Sequence, residues 1–407
     1  MIAETFTWRA ADGWSPAAPA PDGRASLVLL MGDRGVIDTA TELGLDPLGE
    51  LAAVWDGHGL LGWSTDGQAI GGVVHDDALV ATVVRFDSTR VHSATAALRT
   101  AGSARRAGRD VAETLAEAEA DLRVVMVAAD GVLLNGSAIA AGITDVLPDV
   151  QVIGVLAADG SRYERAWTLV SGAAESGHVC AVGLYGDRLE IAHGAGTGWT
   201  PVGPERLVTN TIGNVIHELD GQTATELYRD YLGPLADDLV ANSSMLPMEV
   251  RDLDDHVTVR SPRRFHADGS VAMSGDVPQG ATVRLLRASP ADLAHDAALA
   301  AKAAHLDDAG LCLVVSAAGR RRVLGQRVED ELDAVIDAMS PATPVVACWA
   351  YGALAPTELG LDVVDETICI TTVRERPVSS PDLPHDADAP DPQQHQQHQQ
   401  NQQNQEG

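Results

Sequence analysis

The chain has 407 residues, of which 45% are hydrophobic and 4% aromatic, so alanine, valine and leucine must fill its core. This length is typical of two or three domains. The formal net charge of −30 argues against nucleic acids and anionic membrane surfaces as partners, because both are negatively charged.

The first residues contain no basic segment followed by an apolar one, so they do not resemble a signal peptide. No apolar run approaches the roughly 18 residues that a membrane-spanning helix needs. We therefore expect a cytoplasmic protein, with residues 1–24 as a loose N-terminal leader. Four cysteines lie in apolar runs outside any C-x-x-C pair and are predicted to be buried, reduced thiols: Cys180, Cys312, Cys348 and Cys369.

A pattern of apolar strand, helix, apolar strand and further strand occurs three times. The first strands are predicted at Ser26–Gly32, Leu122–Asp130 and Leu311–Gly319, and the helices at Val36–Leu48, Ser137–Leu147 and Val328–Met339. A strand, a helix and a second strand in this order indicate a right-handed β-α-β crossover with parallel pairing. Chance similarity between α/β units is the alternative to a true repeat.

Two regions do not follow this pattern. Residues 104–122 place apolar side chains at helical spacing and predict an amphipathic helix. Residues 205–288 predict antiparallel strands and one helix, with a capping box formed by Thr223 and Glu226, and a further helix is predicted at 290–304. The expected fold class is α/β (mixed α+β), with repeated β-α-β units forming mixed sheets, helices packed outside, and an antiparallel region at about 205–288.

Residues 377–407 are rich in Pro and Asp and then in Gln and His, with almost no apolar side chains. Such a segment cannot bury enough apolar surface to offset the entropy of ordering, so a disordered tail is predicted. His395 and His398 could catch a metal ion, and a solvated low-complexity tail is the simpler interpretation.

Small polar turns follow the second strands, in "GWSTDGQ", "VLAADG" and "CWAYGALAP". Ligands of α/β sheets bind beyond the carboxyl ends of the parallel strands. The predicted ligand-binding residues are Ser64, Thr65, Asp66, Asp159, Gly319, Arg320, Tyr351 and Gly352. Arg320 directly follows a glycine, and its planar guanidinium suits a carboxylate or phosphate. The alternative is that the turns only close tight loops and that Arg320 pairs with an acidic neighbour, Glu329 or Asp330.

The stretch "GTGWTPVG…VTNTIGNVIHELDGQTATELYRDYLG" resembles the junction of the two FIST domains of bacterial and archaeal sensory proteins. "GWSTDGQ", "VIGVLAADG", "SAAGRRRVLGQRVEDELDAV" and "YGALAP" resemble further blocks of the family, in order, over about residues 25 to 375. The resemblance implies a FIST N-terminal-like domain at 25–204 and a FIST C-terminal-like domain at 205–376. The sequence departs from the family's polar signature at Trp63, Gln68, Ala317 and Ala353, so its ligand is expected to differ or its site to be retired.

The resemblance implies a small-ligand-binding sensory protein of signal transduction. We expect it to recognise a small anionic or zwitterionic metabolite, such as an amino acid, by closing the turns around it. Because only the tail follows residue 376, the expected partner is a separately encoded signalling protein. Some family members bind haem and respond to nitric oxide, so a haem-binding gas sensor is the alternative. An enzyme of unknown reaction is the second alternative, although no G-x-S-x-G, P-loop or H-E-x-x-H motif is found. No cofactor, metal ligand or catalytic residue is assigned.

Overall fold

The computed structural model describes residues 1–376 except 18–19, 133–134 and 161. The predicted tail at 377–407, with His395 and His398, lies outside the described residues. Within them, no helix is long and apolar enough to span a bilayer. The four cysteines are buried and free, as predicted.

The first unit is a mixed sheet with two helices. Its elements are β1 (Ile2–Arg9), β2 (Gly13–Ser15), β3 (Ser26–Gly32), α1 (Arg34–Glu42), α2 (Pro47–Val54), β4 (Gly59–Ser64), β5 (Gln68–Ile70), β6 (Val73–Val74) and β7 (Leu79–Arg85). β3 and β4 pair in parallel, and β7 lies antiparallel to β3. The predicted parallel crossover is therefore present.

Two features of this unit differ from the prediction. The helix predicted at 36–48 is divided into α1 and α2, because Pro47 cannot continue a helix and instead begins one that is capped by Asp46. The prediction of a loose leader at 1–24 is also wrong for Ile2–Arg9, which form β1. β1 pairs with β7 from Ile2 to Trp8, since its alternating buried side chains fit a sheet packed on one face.

The second unit repeats the first. Its elements are β8 (Arg90–Ala97), a short 3₁₀ helix (Ala101–Ser103), α3 (Ala104–Ala118), β9 (Leu122–Asp130), α4 (Gly136–Thr144), β10 (Gln151–Ala157), β11 (Thr168–Val170), β12 (Ala173–Glu175) and β13 (His178–Tyr185). β9 and β10 are parallel, and β13 is antiparallel to β9. The amphipathic helix α3 packs its apolar face on α4 and on the sheet.

An antiparallel sheet is inserted after the first strand of the third unit. The elements are β14 (Leu189–Gly196), β15 (Thr200–Ile212), β16 (Val215–Leu219), β17 (Gln222–Thr223), α5 (Ala224–Leu232), a 3₁₀ helix (Gly233–Asp238), α6 (Leu239–Ser243), β18 (Met248–Arg251), β19 (Val257–Arg260), β20 (Pro262–Phe265), β21 (Val271–Met273) and β22 (Thr282–Arg287). β15 to β22 pair only antiparallel. α5 begins with the predicted capping box of Thr223 and Glu226. This confirms the antiparallel region.

The third unit is completed after this insertion. Its elements are α7 (Pro290–Ala303), β23 (Leu311–Ala317), α8 (Ala318–Leu324), a 3₁₀ helix (Gly325–Arg327), α9 (Val328–Ile336), β24 (Val345–Ala350), β25 (Gly352–Thr357), β26 (Gly360–Val364) and β27 (Ile368–Glu375). β23 and β24 are parallel, and β27 is antiparallel to β23. β23 ends two residues earlier than predicted, because Ala318 and Gly319 already belong to α8.

The three units exchange short hairpins in a closed cycle. β5 of the first unit pairs with β24 of the third, β25 of the third pairs with β10 of the second, and β11 of the second pairs with β4 of the first. The three sheets consequently have one shared order: β11-β4-β3-β7-β1, β25-β10-β9-β13-β8 and β5-β24-β23-β27-β14. Met1 to Glu375 form one unit, and strands from both sides of residue 204 share sheets.

The inner faces of the three sheets enclose a common apolar core. It contains Met31 and Trp63 from the first unit, Met126 from the second, and Leu313 and Cys348 from the third. Because each sheet covers the other two, no unit can bury its inner face alone.

Cutting the chain at Gly198, between β14 and β15, is expected to prevent folding of both pieces. The fragment 1–198 would lose the β25 edge of its second sheet, and the fragment 199–376 would lose β5 and β14. Circular dichroism and thermal unfolding of each fragment check this, with the co-expressed pair as the control that restores the fold. A cooperative unfolding transition of fragment 1–198 alone would contradict the interlocked architecture.

Candidate functional site

The turns after β4, β10 and β24 meet, and their backbones are hydrogen-bonded in a ring. Asp66 N donates to Trp349 O over 2.7 Å, Tyr351 N donates to Leu156 O over 2.9 Å, and Ala158 N donates to Ser64 O over 2.9 Å. Each turn thus binds the strand end of a different unit. The three turns therefore lie together, and their backbone groups bind one another.

The hydroxyl groups of the first turn form hydrogen bonds that stabilise the turn. Ser64 Oγ accepts from Trp167 N over 2.8 Å, and Thr65 Oγ1 donates to Gln68 Oε1 over 2.6 Å. Gln68 Nε2 donates to Ala78 O over 2.7 Å, and the side chain is fully buried. These predicted ligand groups are therefore engaged in fixing the loop.

Asp159 organises the second turn. Its carboxylate accepts from the backbone N–H groups of Tyr163, Glu164 and Arg165 over 2.6 to 2.8 Å. It also accepts from the hydroxyl of Tyr351. The Tyr163 and Tyr351 rings are stacked at 4.2 Å between centroids and 7° between planes. Asp159 therefore joins the second and third turns.

A buried ion pair lies beneath the stacked tyrosines. Arg263 Nη2 is 2.8 Å from Asp365 Oδ1 and also donates to Tyr351 O, and its guanidinium lies 5.5 Å from the Tyr351 ring centroid. Asp365 accepts a second hydrogen bond from Ser274 Oγ. Gly352 lies against this carboxylate, because a Cβ there would be 3.0 Å from Asp365 Oδ1.

Asp66 is the predicted side chain that keeps an available carboxylate. Within the described residues it has no hydrogen-bond or ion-pair partner, and it is only partly exposed. Burial raises the pKa of this carboxyl group to about 6, although the charges of Arg322 and Arg321 oppose that rise. Arg321 is itself paired with Asp76 at 2.6 Å and lies 5.0 Å from the Trp349 ring centroid.

Glu366 carries a second incompletely bonded carboxylate. Its Oε1 accepts from Ser261 Oγ over 2.9 Å, while Oε2 is buried and has no partner among the described residues. A Cβ on Gly319 would overlap Oε2, so this predicted glycine permits the close approach of α8 to the Glu366 carboxylate. Burial, reinforced by the charge of Asp365, raises the pKa of Glu366 to about 7.

The hydroxyl of Tyr163 faces the same interior. No partner for it is found among the described residues, and burial raises its pKa while the charges of Arg263 and Arg322 lower it. The charges of Glu366 and Asp66 also act on this hydroxyl and raise its pKa. Tyr163 adopts a positive φ of 52°, which is uncommon for an aromatic residue.

We name this group of side chains the central polar cluster. Its members are Asp66, Asp159, Tyr163, Ser261, Arg263, Ser274, Arg322, Tyr351, Asp365 and Glu366. Three of the predicted residues belong to it, and Ser64, Thr65, Gly319 and Gly352 shape its walls. Tyr163, Arg263 and Glu366 were not predicted. Glu366 could have been noticed, because it lies in an acidic loop directly before a strand.

Arg320 points away from the central polar cluster. It is fully buried, and its guanidinium lies 2.6 Å from Glu331, which is fully buried as well. Its remaining donors bind the carbonyl oxygens of Thr197 and Leu293. This corrects the interpretation of Arg320 as an anion anchor: the guanidinium pairs with an acidic neighbour, and that neighbour is Glu331 rather than Glu329 or Asp330.

Two further places contain side chains of the types that hold a cofactor or a metal ion. His193 lines an apolar cavity of about 20 Å³ in the common core, a volume that suits about one water molecule and excludes a porphyrin. Asp252, Asp254 and His256 place ligand atoms within 4.8 Å of one another. The carboxylate of Asp252 accepts hydrogen bonds from the backbone N–H groups of Asp254 and His256. The arrangement is therefore a loop closed by its own hydrogen bonds.

Comparisons with known proteins identify the family. A model of the FIST N domain matches residues 23–222, and a model of the FIST C domain matches residues 224–356. The chain belongs to the FIST family, whose domains are associated with sensory signal transduction. No curated protein matches the sequence.

Among solved structures, the crystal structure of cyanuric acid hydrolase from A. caulinodans is similar in backbone. It shares 12% identity, and the alignment covers 92% of this chain and 99% of that chain, with a TM-score of 0.36. A likeness at this level carries no argument about activity.

Replacing Glu366 by Gln is expected to flatten the dependence of stability on pH. The unfolded carboxyl group ionises near pH 4.5 and the folded one near pH 7. Its favourable contribution is therefore complete below pH 4.5 and is lost as the pH rises through 7. Two to three pKa units correspond to about 3 kcal/mol. Urea unfolding between about pH 5 and pH 8 measures the effect, with the exposed Glu42→Gln as control. Parallel profiles for the wild type and Glu366→Gln would contradict it.

Replacing Arg320 by Ala is expected to lower the free energy of unfolding by about 3–5 kcal/mol, because the buried Glu331 carboxylate would lose its counter-charge. The matched control is Arg327→Ala, which breaks the exposed pair with Asp330 and should cost under about 1 kcal/mol. Denaturant unfolding compares the two variants. Equal stabilities would show that the buried pair is not structural.

Proposed function

We propose that the protein is a cytoplasmic sensor that binds a small anionic or zwitterionic metabolite, such as an amino acid, in the central polar cluster. The observation that carries this proposal is that three polar groups, which act on one another electrostatically, have no hydrogen-bond partner among the described residues: Asp66, the Tyr163 hydroxyl and Glu366 Oε2. Buried polar groups are normally hydrogen-bonded, and unpaired ones are costly. A ligand that supplies hydrogen-bond donors would remove that cost.

The charges around these groups favour a zwitterion. Two carboxyl groups, on Asp66 and Glu366, offer acceptors to an ammonium group, which has three N–H donors. Arg322 is close enough to lower the pKa of Asp66, and its guanidinium suits the ligand's carboxylate. A zwitterion adds no net charge to a buried site, so its entry avoids the desolvation cost of an unpaired ion.

Ligand binding would be coupled to proton release. An ammonium group beside Asp66 and Glu366 stabilises their ionised forms, while the empty site holds pKa values of about 6 and about 7. The affinity is therefore expected to increase as the pH rises from about 5.5 to about 7.5.

The proposed output is a change of conformation read by a separately encoded signalling protein. A ligand shifts such an equilibrium only through its different affinity for the two states. Tyr163 is suited to this role, because it joins the second turn to the third through its stacking on Tyr351 and its hydroxyl interacts electrostatically with the carboxylates of Asp66 and Glu366. Binding without turnover distinguishes this function from catalysis.

Isothermal titration with a panel of amino acids tests the proposal. A bound amino acid should also raise the melting temperature, as binding to the folded state alone requires. Asp66→Asn is expected to weaken binding at least tenfold, because it removes the charge opposite the ammonium. The exposed Asp56→Asn is the control and should bind as the wild type does.

Two outcomes would contradict the proposal at different levels. Heat from no member of the panel would reject the amino-acid class. Equal affinities of the wild type and Asp66→Asn would show that the ligand binds outside the central polar cluster.

A further inference from the structure

A cleft of about 510 Å³ lies between the antiparallel sheet and the second mixed sheet. Its two walls are β19 and β26, the terminal strands of those sheets, and each is paired on one side only. Arg260 joins the two strands, since its Nη1 donates to Val259 O over 3.2 Å and to Val363 O over 3.0 Å. Beyond this bridge, the outer backbone groups of both strands have no strand partner within the described chain.

The side chains of the cleft combine an apolar lining with acidic groups. Val257 and Leu359 are 48% and 57% exposed, and Val259, Leu286 and Val364 also line it. The acidic lining residues are Glu249, Asp255, Glu358 and Asp365, of which Asp365 is buried and paired with Arg263. No lysine or arginine is found among the lining residues that the structure describes.

We propose that this cleft binds an extended segment of a partner protein as an added β-strand, with apolar side chains alternating with Lys or Arg. Addition of a strand to an open sheet edge is an established form of peptide recognition, in which backbone hydrogen bonds give affinity and alternate side chains give specificity. The apolar lining receives one face of the segment. The exposed carboxylates of Asp255 and Glu358 attract the basic side chains, because neither forms an ion pair within the described chain.

The cleft is connected to the central polar cluster through two consecutive residues. Asp365 lines the cleft, and Glu366 presents its unpartnered Oε2 in the cluster. Glu366 adopts a positive φ of 49° and accepts from Trp199 Nε1 through its carbonyl over 2.7 Å, and Trp199 also lines the cleft. A movement of this segment on ligand binding would reach the cleft directly. This coupling, unlike the docking itself, rests on the proposed function.

Fluorescence anisotropy of labelled peptides added to the full chain tests the docking. The probe alternates valine with lysine, and two control peptides alternate serine with lysine and valine with glutamate. We expect the valine–lysine peptide to bind at least tenfold more tightly than either control. Equal binding of the serine–lysine peptide would overturn the proposal, because attraction to the net negative charge would then explain it.

Leu359→Lys is expected to weaken binding of the valine–lysine peptide at least tenfold. The matched control is Leu43→Lys, which adds the same charge at a residue 60% exposed on the first unit. Hydrogen exchange should show protection of the amides of β19 or β26 when the peptide is bound. The proposal is overturned if the two variants weaken binding equally, or if neither strand is protected.

Two further measurements separate the alternatives. If sedimentation shows that the chain self-associates and Leu359→Lys abolishes this, the occupant is a second copy and the proposal is wrong. Peptide affinities are measured with and without an amino acid found by titration. Loss of peptide binding with intact amino-acid binding rejects only the docking, whereas peptide binding without any amino-acid binding rejects only the proposed function.

Discussion

The structure depends on how the ends of three buried strands satisfy their backbone groups. β4, β10 and β24 end inside the molecule, where each N–H and C=O group needs a partner. Asp66, Ala158 and Tyr351 supply these bonds across units, so every turn is fixed by a strand of another unit. The hairpins that follow can then only continue onto the neighbouring sheet. The ring of hydrogen bonds and the exchange of hairpins therefore both follow from the need to satisfy the backbone groups of three buried strand ends.

The buried charges of the chain fall into two kinds that differ in how completely they are bonded. The Arg320–Glu331 pair has carbonyl and side-chain partners for its donors and acceptors, so it fixes α8 against α9. Among the residues that the structure describes, Glu366 Oε2 has no hydrogen-bond partner and the Asp66 carboxylate has neither a hydrogen-bond nor an ion-pair partner. A buried charged group with a purely structural role is expected to have hydrogen-bond partners for all of its polar atoms. The incompletely bonded groups are the ones that a ligand could complete.

The repeated units could be predicted from the sequence because apolar runs and helical spacing are local signals, and these placed β3 and β9 at their observed bounds. The strands with which β5, β11 and β25 pair could not be predicted from the sequence. Strands of three to six residues carry no sequence signal that indicates which sheet they join. The small polar turns indicated where the site lies. The interpretation of Arg320 as an anion anchor was wrong, because the sequence does not distinguish an arginine that faces a ligand from one that pairs with a buried carboxylate. Arg263 lies on an inserted strand with no motif, so only tertiary contacts reveal it.

The interlocked units also limit how a ligand could change the molecule. Hinged closure of one domain on another requires strands to separate, and here each of the three mixed sheets contains strands of two units. A response must therefore be local. Tyr163 and Glu366 both hold positive φ angles that non-glycine residues adopt at a cost, and each is fixed by neighbouring hydrogen bonds. Because strained backbone of this kind is held only by its surroundings, the Asp365–Glu366 turn is the element through which the proposed binding in the centre would alter the surface.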